Sequence, residues 1–393
     1  MAAVGKYAMK AWIVLGLCAA LLGCASAPPV PAVDVTALFH DELFEPPSEP
    51  VDPARIFEAS EAMKQFVGIE IARDLRTKGL RQGLADALYT RGQLRLDYDA
   101  SNTRNAAEAF EARAGNCLSL VIMTAALAKE LKMQVQFQSV PIDDSWSRSG
   151  DLLVLNGHVN VSLGQRLTEA RHWQPIREEV TIDFLPPEAL RGQRARPISE
   201  STVVAMYMNN RAAEALAAGR LDDGYWWARE ALRQEPTFRS SYNTLGVIYL
   251  RRGRPVEAEQ VLRLAWQQDP RNTRVIANLI RVQTELGRPA EAEQLSRKLA
   301  ELEPYPPFHF MSLGVAALER GDTRVAREHF ERELDRAPEQ PELHYWLAVT
   351  YQRLGDIRAA RKHLDIAITG STNRDERAIY SAKLDRINAL TAH

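Results

Sequence analysis

A period of 34 residues governs the C-terminal half of this 393-residue chain. Pro236, Pro270, Pro304 and Pro338 recur at that interval, and so do Gly219, Gly253, Gly287, Gly321 and Gly355. Ala258, Ala292, Ala326 and Ala360 keep the same spacing. Three residue types locked to one period specify stacked copies of a single supersecondary unit, each too small to bury its apolar face alone. From about residue 203 to 370 the pattern is helical. Each glycine breaks the chain between two helices, each alanine lets helices approach closely, and each proline sits near the end of the second helix.

The period and its positions resemble the tetratricopeptide repeat. Gly246 with Tyr249, and Gly314, fill further consensus positions. Five repeats fit residues 203–372. The first has Gly224 where alanine is usual and the fifth has Thr372 where proline is usual, as atypical capping units require. Residues 373–393 are expected to add one amphipathic capping helix. The resemblance implies a concave surface that binds a protein or peptide partner. Asn209, Asn243, Arg274, Arg281 and Tyr345 fall near its groove-facing positions on first helices.

The other end reads as a targeting segment. Lys6 and Lys10 precede an uncharged run, Ala11 to Leu22, which is too short to span a bilayer, about 20 apolar residues being needed. The run ends in Leu21-Leu22-Gly23-Cys24, which resembles the lipobox of bacterial lipoproteins. That resemblance implies removal of residues 1–23 and acylation of Cys24, giving a membrane anchor worth about 0.8 kcal/mol per buried methylene. Ala25 and Ser26 follow with no aspartate. The family rule then implies a periplasmic protein held at the outer membrane, with the inner membrane as the alternative.

Cysteine usage follows from this reading. Of Cys18, Cys24 and Cys117, the first leaves with the signal peptide and the second is acylated. Cys117 then remains as a lone thiol in an oxidising compartment, a liability unless buried or used. Removing two lysines from 49 basic residues leaves 47 against 51 acidic ones. That balance argues against a nucleic-acid surface.

Residues 24–52 form a Pro-rich tether. Pro28, Pro29, Pro31, Pro46, Pro47 and Pro50 make it extended and semi-rigid. Asp52 before Pro53 signals a helix start. Helices are expected over 53–76, 83–97 and 103–112. Leu118 to Ala128 is apolar nearly all round, as a buried helix is, and Asn116 can cap it. Alternation around Val135 and Phe137 predicts a strand, Leu152 to Leu163 a second and Val180 to Leu185 a third, with polar loop over 164–178. Residues 53–195 are thus expected to form an α+β domain.

Cys117 falls in the first turn of the buried helix, where the helix N-terminus favours a thiolate and unpaired N–H groups can receive an oxyanion. His158 and Asp183 sit on strands whose aliphatic neighbours, Val159, Val161, Ile182 and Phe184, point the other way. If the strands pair, Asp183 lies beside His158. The order cysteine, histidine, aspartate, with Arg113-Ala114-Gly115-Asn116-Cys117-Leu118-Ser119 running into the apolar helix, resembles the transglutaminase-like superfamily over residues 100–190. That resemblance implies Cys117 as nucleophile, His158 as base and later acid, and Asp183 as the orienting carboxylate, with a protein or peptide substrate and no cofactor. The short segment between Cys117 and His158 disfavours protein crosslinking. Trp146 in that segment reads as a packing residue or a cleft wall, and Trp226-Trp227 as core or inter-domain packing. No phosphate loop, zinc motif or paired-cysteine cluster is present in the sequence. A non-catalytic interaction scaffold is the competing reading. A peptidoglycan amidase follows from location alone.

Overall fold

The computed structural model describes residues 34–89, 94, 96–100, 102–140, 146–149, 152–155, 157–166, 179–185, 193–371 and 373–391, with backbone alone at 146–149, 152–155, 165–166, 374 and 390–391. Residues 1–23, Cys24 and the start of the tether lie outside the described residues. Of residues 1–37, only Asp34–Ala37 are described; there Asp34 accepts the Thr36 N–H at 3.0 Å.

The helix expected over 53–76 is broken into short pieces. Asp52 accepts the N–H of Ala54 at 2.9 Å and starts a 3-10 turn, Pro53–Phe57. Ser60 caps α1 (Glu61–Gln65), which runs into a π turn, Phe66–Glu70, and then α2 (Ala72–Lys78). The next expected helix, 83–97, is α3 (Leu80–Tyr89), and Asp97 is instead in a short strand, β1 (Asp97–Tyr98). A capping box of Asn105 and Glu108 begins α4 (Ala106–Ala112). Arg113, at φ 49°, turns the chain into β2 (Ala114–Gly115), which pairs in parallel with β1.

The buried helix is α5 (Cys117–Glu130), and every residue from Leu118 to Ala128 is buried. It packs on a four-stranded antiparallel sheet of β3 (Met133–Val140), β6 (His158–Arg166), β7 (Val180–Ile182) and β8 (Arg196–Ile198), in the order β7-β6-β3-β8. The single strand expected over 152–163 is two elements: β5 (Leu152–Leu155), paired antiparallel with β4 (Trp146–Ser149), and β6. Strand β8 was not expected. It is short, and its proline mimics a loop, yet as an edge strand it can dispense with a donor.

Five helix pairs follow: α6 (Glu200–Ala217) with α7 (Leu221–Gln234), α8 (Arg239–Arg251) with α9 (Pro255–Gln268), α10 (Thr273–Glu285) with α11 (Pro289–Leu302), α12 (His309–Glu319) with α13 (Thr323–Leu334), and α14 (Pro341–Arg353) with α15 (Ile357–Gly370). A last helix, α16 (Arg374–Thr391), packs Tyr380 and Ile387 against α14 and α15. The periodic glycines lie between the helices of each pair at φ 70–87°.

The second half of the expected tether is not free. From Leu38 it is a strap seated on the first two repeats. Phe44 stacks on Tyr225, with centroids 3.9 Å apart and planes 4° off parallel. A 3-10 turn, Asp41–Leu43, is too short to pair all its own carbonyls, and the chain beyond it is extended, so backbone carbonyls of this segment are left to accept from side chains. Tyr249 donates to Leu38 O at 2.7 Å, Arg252 to Leu43 O at 2.8 Å and Trp226 to Glu45 O at 2.7 Å. Ser48 is held by Asp223, and Glu49 by Arg211 at 2.7 Å. Trp226 thus holds the strap, while Trp227 is buried and packs edge-on against Tyr207, as a core residue does, and also donates to Glu49 at 3.2 Å.

Candidate active site

The site begins at the entry to α5. A Cβ on Gly115 would lie 2.7 Å from the Ser119 Cβ, so only glycine lets the chain pass this close to the first turn. Asn116 caps the helix, its Oδ1 accepting from the N–H and the hydroxyl of Ser119, both at 2.9 Å. Cys117 is the first helical residue and is half-buried, with its Sγ 3.8 Å from the carbonyl of Gly157. The N–H groups of Cys117 and Leu118 precede the first intrahelical bond, and that of Cys117 donates to the Tyr98 phenol oxygen.

Gly157 leads into His158, the first residue of β6, which lies opposite Val140 of β3. Strand β7 pairs antiparallel with β6, Ser162 facing Thr181, and the register delivers Asp183 just past the strand end to the level of Asn160. His158 Nε2 and Asp183 Oδ1 are 2.7 Å apart. The other carboxylate oxygen of Asp183 accepts from Asn160 Nδ2 at 3.0 Å, and Leu185 N–H donates to Oδ1 at 2.9 Å. Tyr89 clamps the same residue through its backbone: its hydroxyl donates to Asp183 O at 2.6 Å and accepts from Asp183 N at 3.0 Å.

The face bearing His158 and Asn160 was expected to be the one turned away from the core. It is nevertheless covered: His158 is 1% exposed, Asn160 5% and Ser162 0%. Such burial is tolerable because the polar groups satisfy one another. Gln138 donates to Ser162 at 3.2 Å, and the Ser162 and Thr181 hydroxyls are hydrogen-bonded at 2.8 Å. Among the described side chains of this face, Asn160 Oδ1 lacks a partner.

The electrostatics follow from these contacts. Burial pulls the His158 imidazole down, but hydrogen bonds to Asp183 and Cys117 outweigh it and raise it to about 9. With Nε2 committed to Asp183, Nδ1 is left to face the sulfur. Burial alone would raise Asp183, yet His158, the Leu185 N–H and Asn160 together hold it below the usual carboxylate range. Burial and then the Cys117 charge push the Tyr98 phenol well above its ordinary value. A cysteine sulfur that has passed its proton to an imidazole, itself fixed by a carboxylate, can act as a nucleophile on a carbonyl carbon.

Sequence reading singled out Cys117, His158 and Asp183, and the fold brings these three together. It missed Tyr98, Tyr89 and Thr103. Tyr98 reaches the thiol only because β1 lies alongside β2, so that Tyr98 faces Gly115. No local pattern announces a two-residue parallel bridge. Asn160 had a visible signal, its period-two spacing from His158. Trp146 begins β4, and whether its ring lines the cleft lies outside the described residues. Among the described residues no group of three or more His, Cys, Asp or Glu is arranged to hold a metal ion. Among them, too, no helix is long and apolar enough to cross a membrane.

The groove candidates lie on the first helices of the repeats. Asn209 is half-buried on α6, its Oδ1 without a partner. Asn243 on α8 accepts from Asn278 on α10 at 2.9 Å. Arg274 is half-buried and Arg281 exposed, both on α10. Tyr345 is engaged elsewhere, stacked on Tyr380 of α16 with centroids 5.1 Å apart.

Two family profiles described as "Tetratricopeptide repeat" match residues 249–306 and 311–375. The C-terminal part of the chain is accordingly an all-α tetratricopeptide-repeat solenoid, an architecture that commonly binds protein or peptide partners. No curated protein matches the chain. Among solved structures, it is similar to TTC0263, a thermophilic TPR protein of Thermus thermophilus, at 18% identity over 46% of this chain and 98% of that one, TM-score 0.29. It is also similar to pilF of Pseudomonas aeruginosa, at 23% identity over 47% and 91%, TM-score 0.26. A third is YrrB, described as a TPR protein with an unusual peptide-binding site, at 20% identity over 46% and 92%, TM-score 0.25. Likenesses this weak fix neither partner nor activity.

Proposed function

We propose that this protein is a lipid-anchored envelope protein in which a transglutaminase-like Cys-His-Asp domain cleaves or transfers an amide-linked acyl group, and the repeats bind the protein that carries it. The observation that supports the catalytic half is the buried His158–Asp183 hydrogen bond of 2.7 Å beside a half-exposed Cys117 at a helix N-terminus. His158 takes the thiol proton. The thiolate attacks the amide carbonyl, and the carbonyl electrons move to oxygen, facing the N–H groups of the first turn. Collapse of that oxyanion expels the amine, which receives the proton from His158, and leaves a thioester on Cys117. Water or an amine, deprotonated by His158, then attacks the thioester and releases the thiolate.

A second reading, a non-catalytic protein-binding scaffold, draws on the repeats alone, the part of the chain that known families match. Iodoacetamide labelling of the full chain separates the two. The enzyme reading predicts that Cys117 alkylates at pH 6 well above free cysteine, and that His158→Ala slows it at least tenfold. Slow labelling that speeds up only in denaturant leaves the scaffold. The anchor, at the outer membrane on the periplasmic side, rests on the Leu21–Cys24 motif. Radiolabelled palmitate should enter the wild type and not Cys24→Ala, and equal labelling of both would remove the lipid from the reading.

A further inference from the structure

Cys117 sits at the end of a hydrogen-bonded route that starts in the repeats. Thr103, 1% exposed, lies between the two domains. Its N–H donates to Glu214 Oε1 of α6 at 2.7 Å. Its Oγ1 accepts from Asn116 Nδ2 at 2.9 Å and from Asn210 Nδ2, also of α6, at 3.2 Å. Asn116 is the cap of the helix that carries the thiol, and its other atom, Oδ1, already holds Ser119. The next residue, Arg104, donates its N–H to Ser119 Oγ at 2.8 Å and its guanidinium to Asp99 at 2.9 Å. On the far side, Glu214 Oε2 accepts from Arg211 at 3.3 Å, and Arg211 holds Glu49 of the strap at 2.7 Å.

We propose that Glu214, borne by the first repeat, is a positioning residue of the thiol site, acting through Thr103 and Asn116 on the N-terminus of α5. The inference rests on the thiol reading above. A capping amide with both ends bonded cannot turn, and the first turn of the helix is where the thiolate is stabilised and where an oxyanion would be received. Releasing Thr103 from Glu214 frees Asn116 to pivot, and the first turn loosens around Cys117. A partner that shifts α6, or a strap that leaves Arg211, would reach the thiol by the same bonds. The repeats then do more than collect a substrate: their first helix sets the geometry of the group that acts on it.

The test uses the full chain and two conservative pairs. Glu214→Ala removes the acceptor and Glu214→Gln keeps it. Thr103→Val removes the acceptor for Asn116 with little change of shape, and Thr103→Ser keeps it. The readouts are the rate of Cys117 alkylation by iodoacetamide from pH 5 to 9 and the thermal midpoint by circular dichroism. Glu214→Ala and Thr103→Val should slow alkylation at pH 6 roughly tenfold, with the pH profile displaced to higher pH, while Gln and Ser stay within about twofold of wild type. If Glu214→Ala does not fold, the Thr103 pair decides alone. Profiles that superimpose on wild type, whatever the thermal midpoint does, overturn the inference and leave the thiol reading standing. A wild type no faster than free cysteine takes down the thiol reading and the inference together.

Discussion

His158 is almost wholly buried, yet the groups it touches favour its protonated form. Desolvation penalises the imidazolium, but the contacts with Asp183 and Cys117 outweigh that penalty and raise it from 6.5 to about 9. A base whose folded value is raised stabilises the fold fully below its unfolded value. That contribution is lost as the pH rises from about 6.5 through about 9. The gap in urea midpoint between wild type and His158→Ala should therefore be widest at pH 6 and shrink by about pH 9.5. A gap that stays constant over that range would mean the imidazole is not paired as described. The residues of this triad were legible one by one, since each follows from a local pattern: a cap before an apolar helix, and strands that alternate. Tyr98, Tyr89 and Glu214 were not, because each reaches the site from a segment whose own pattern says nothing of what it will touch.

Helices and strands carry the next level of argument. In the repeats, local patterns and tertiary packing agree. A Cβ on Gly314 of α12 would lie 2.5 Å from the ring of Phe330 on α13, so the glycine exists to let the two helices close. Gly314→Ala is expected to cost about 1–3 kcal/mol by overpacking. That should appear as a lower thermal midpoint with the labelling rate of Cys117 unchanged. An unaltered midpoint would show that Phe330 has room to move. Outside the repeats the agreement is weaker. The apolar run of α5 was readable because a helix buried on all sides needs no polar face. The split between β5 and β6 and the edge strand β8 were not, since a strand of three or four residues has too few alternations to separate from loop.

At the scale of the molecule the strap decides how the parts described from Leu38 onward are tied together. An extended, Pro-rich sequence reads as a tether on composition alone, and residues 38–50 are instead bound to the first two repeats through Phe44, Tyr225, Trp226 and Tyr249. Phe44 is 7% exposed, and Phe44→Ala is expected to cost about 3 kcal/mol of strap docking. Limited proteolysis should then cut this segment in the variant and spare it in the wild type. Equal cleavage of both would show that the stacked ring contributes little to holding the strap. The first repeat thus meets two other segments, the strap through Arg211 and the thiol helix through Thr103, which is why its first helix is the element most worth perturbing.

Sequence alone determined the repeat architecture, the buried helix with a thiol at its tip, and the chemical types able to work beside it. These follow from periodicity, which is local, and from residue chemistry, which does not depend on fold. Only the tertiary structure decided that His158 and Asp183 meet, that their strand face is sealed rather than solvated, and that Tyr98, Thr103 and the strap converge on the same region. Those outcomes depend on strand register and on contacts between residues as much as 211 positions apart, and no short-range pattern encodes which distant surface a side chain will meet.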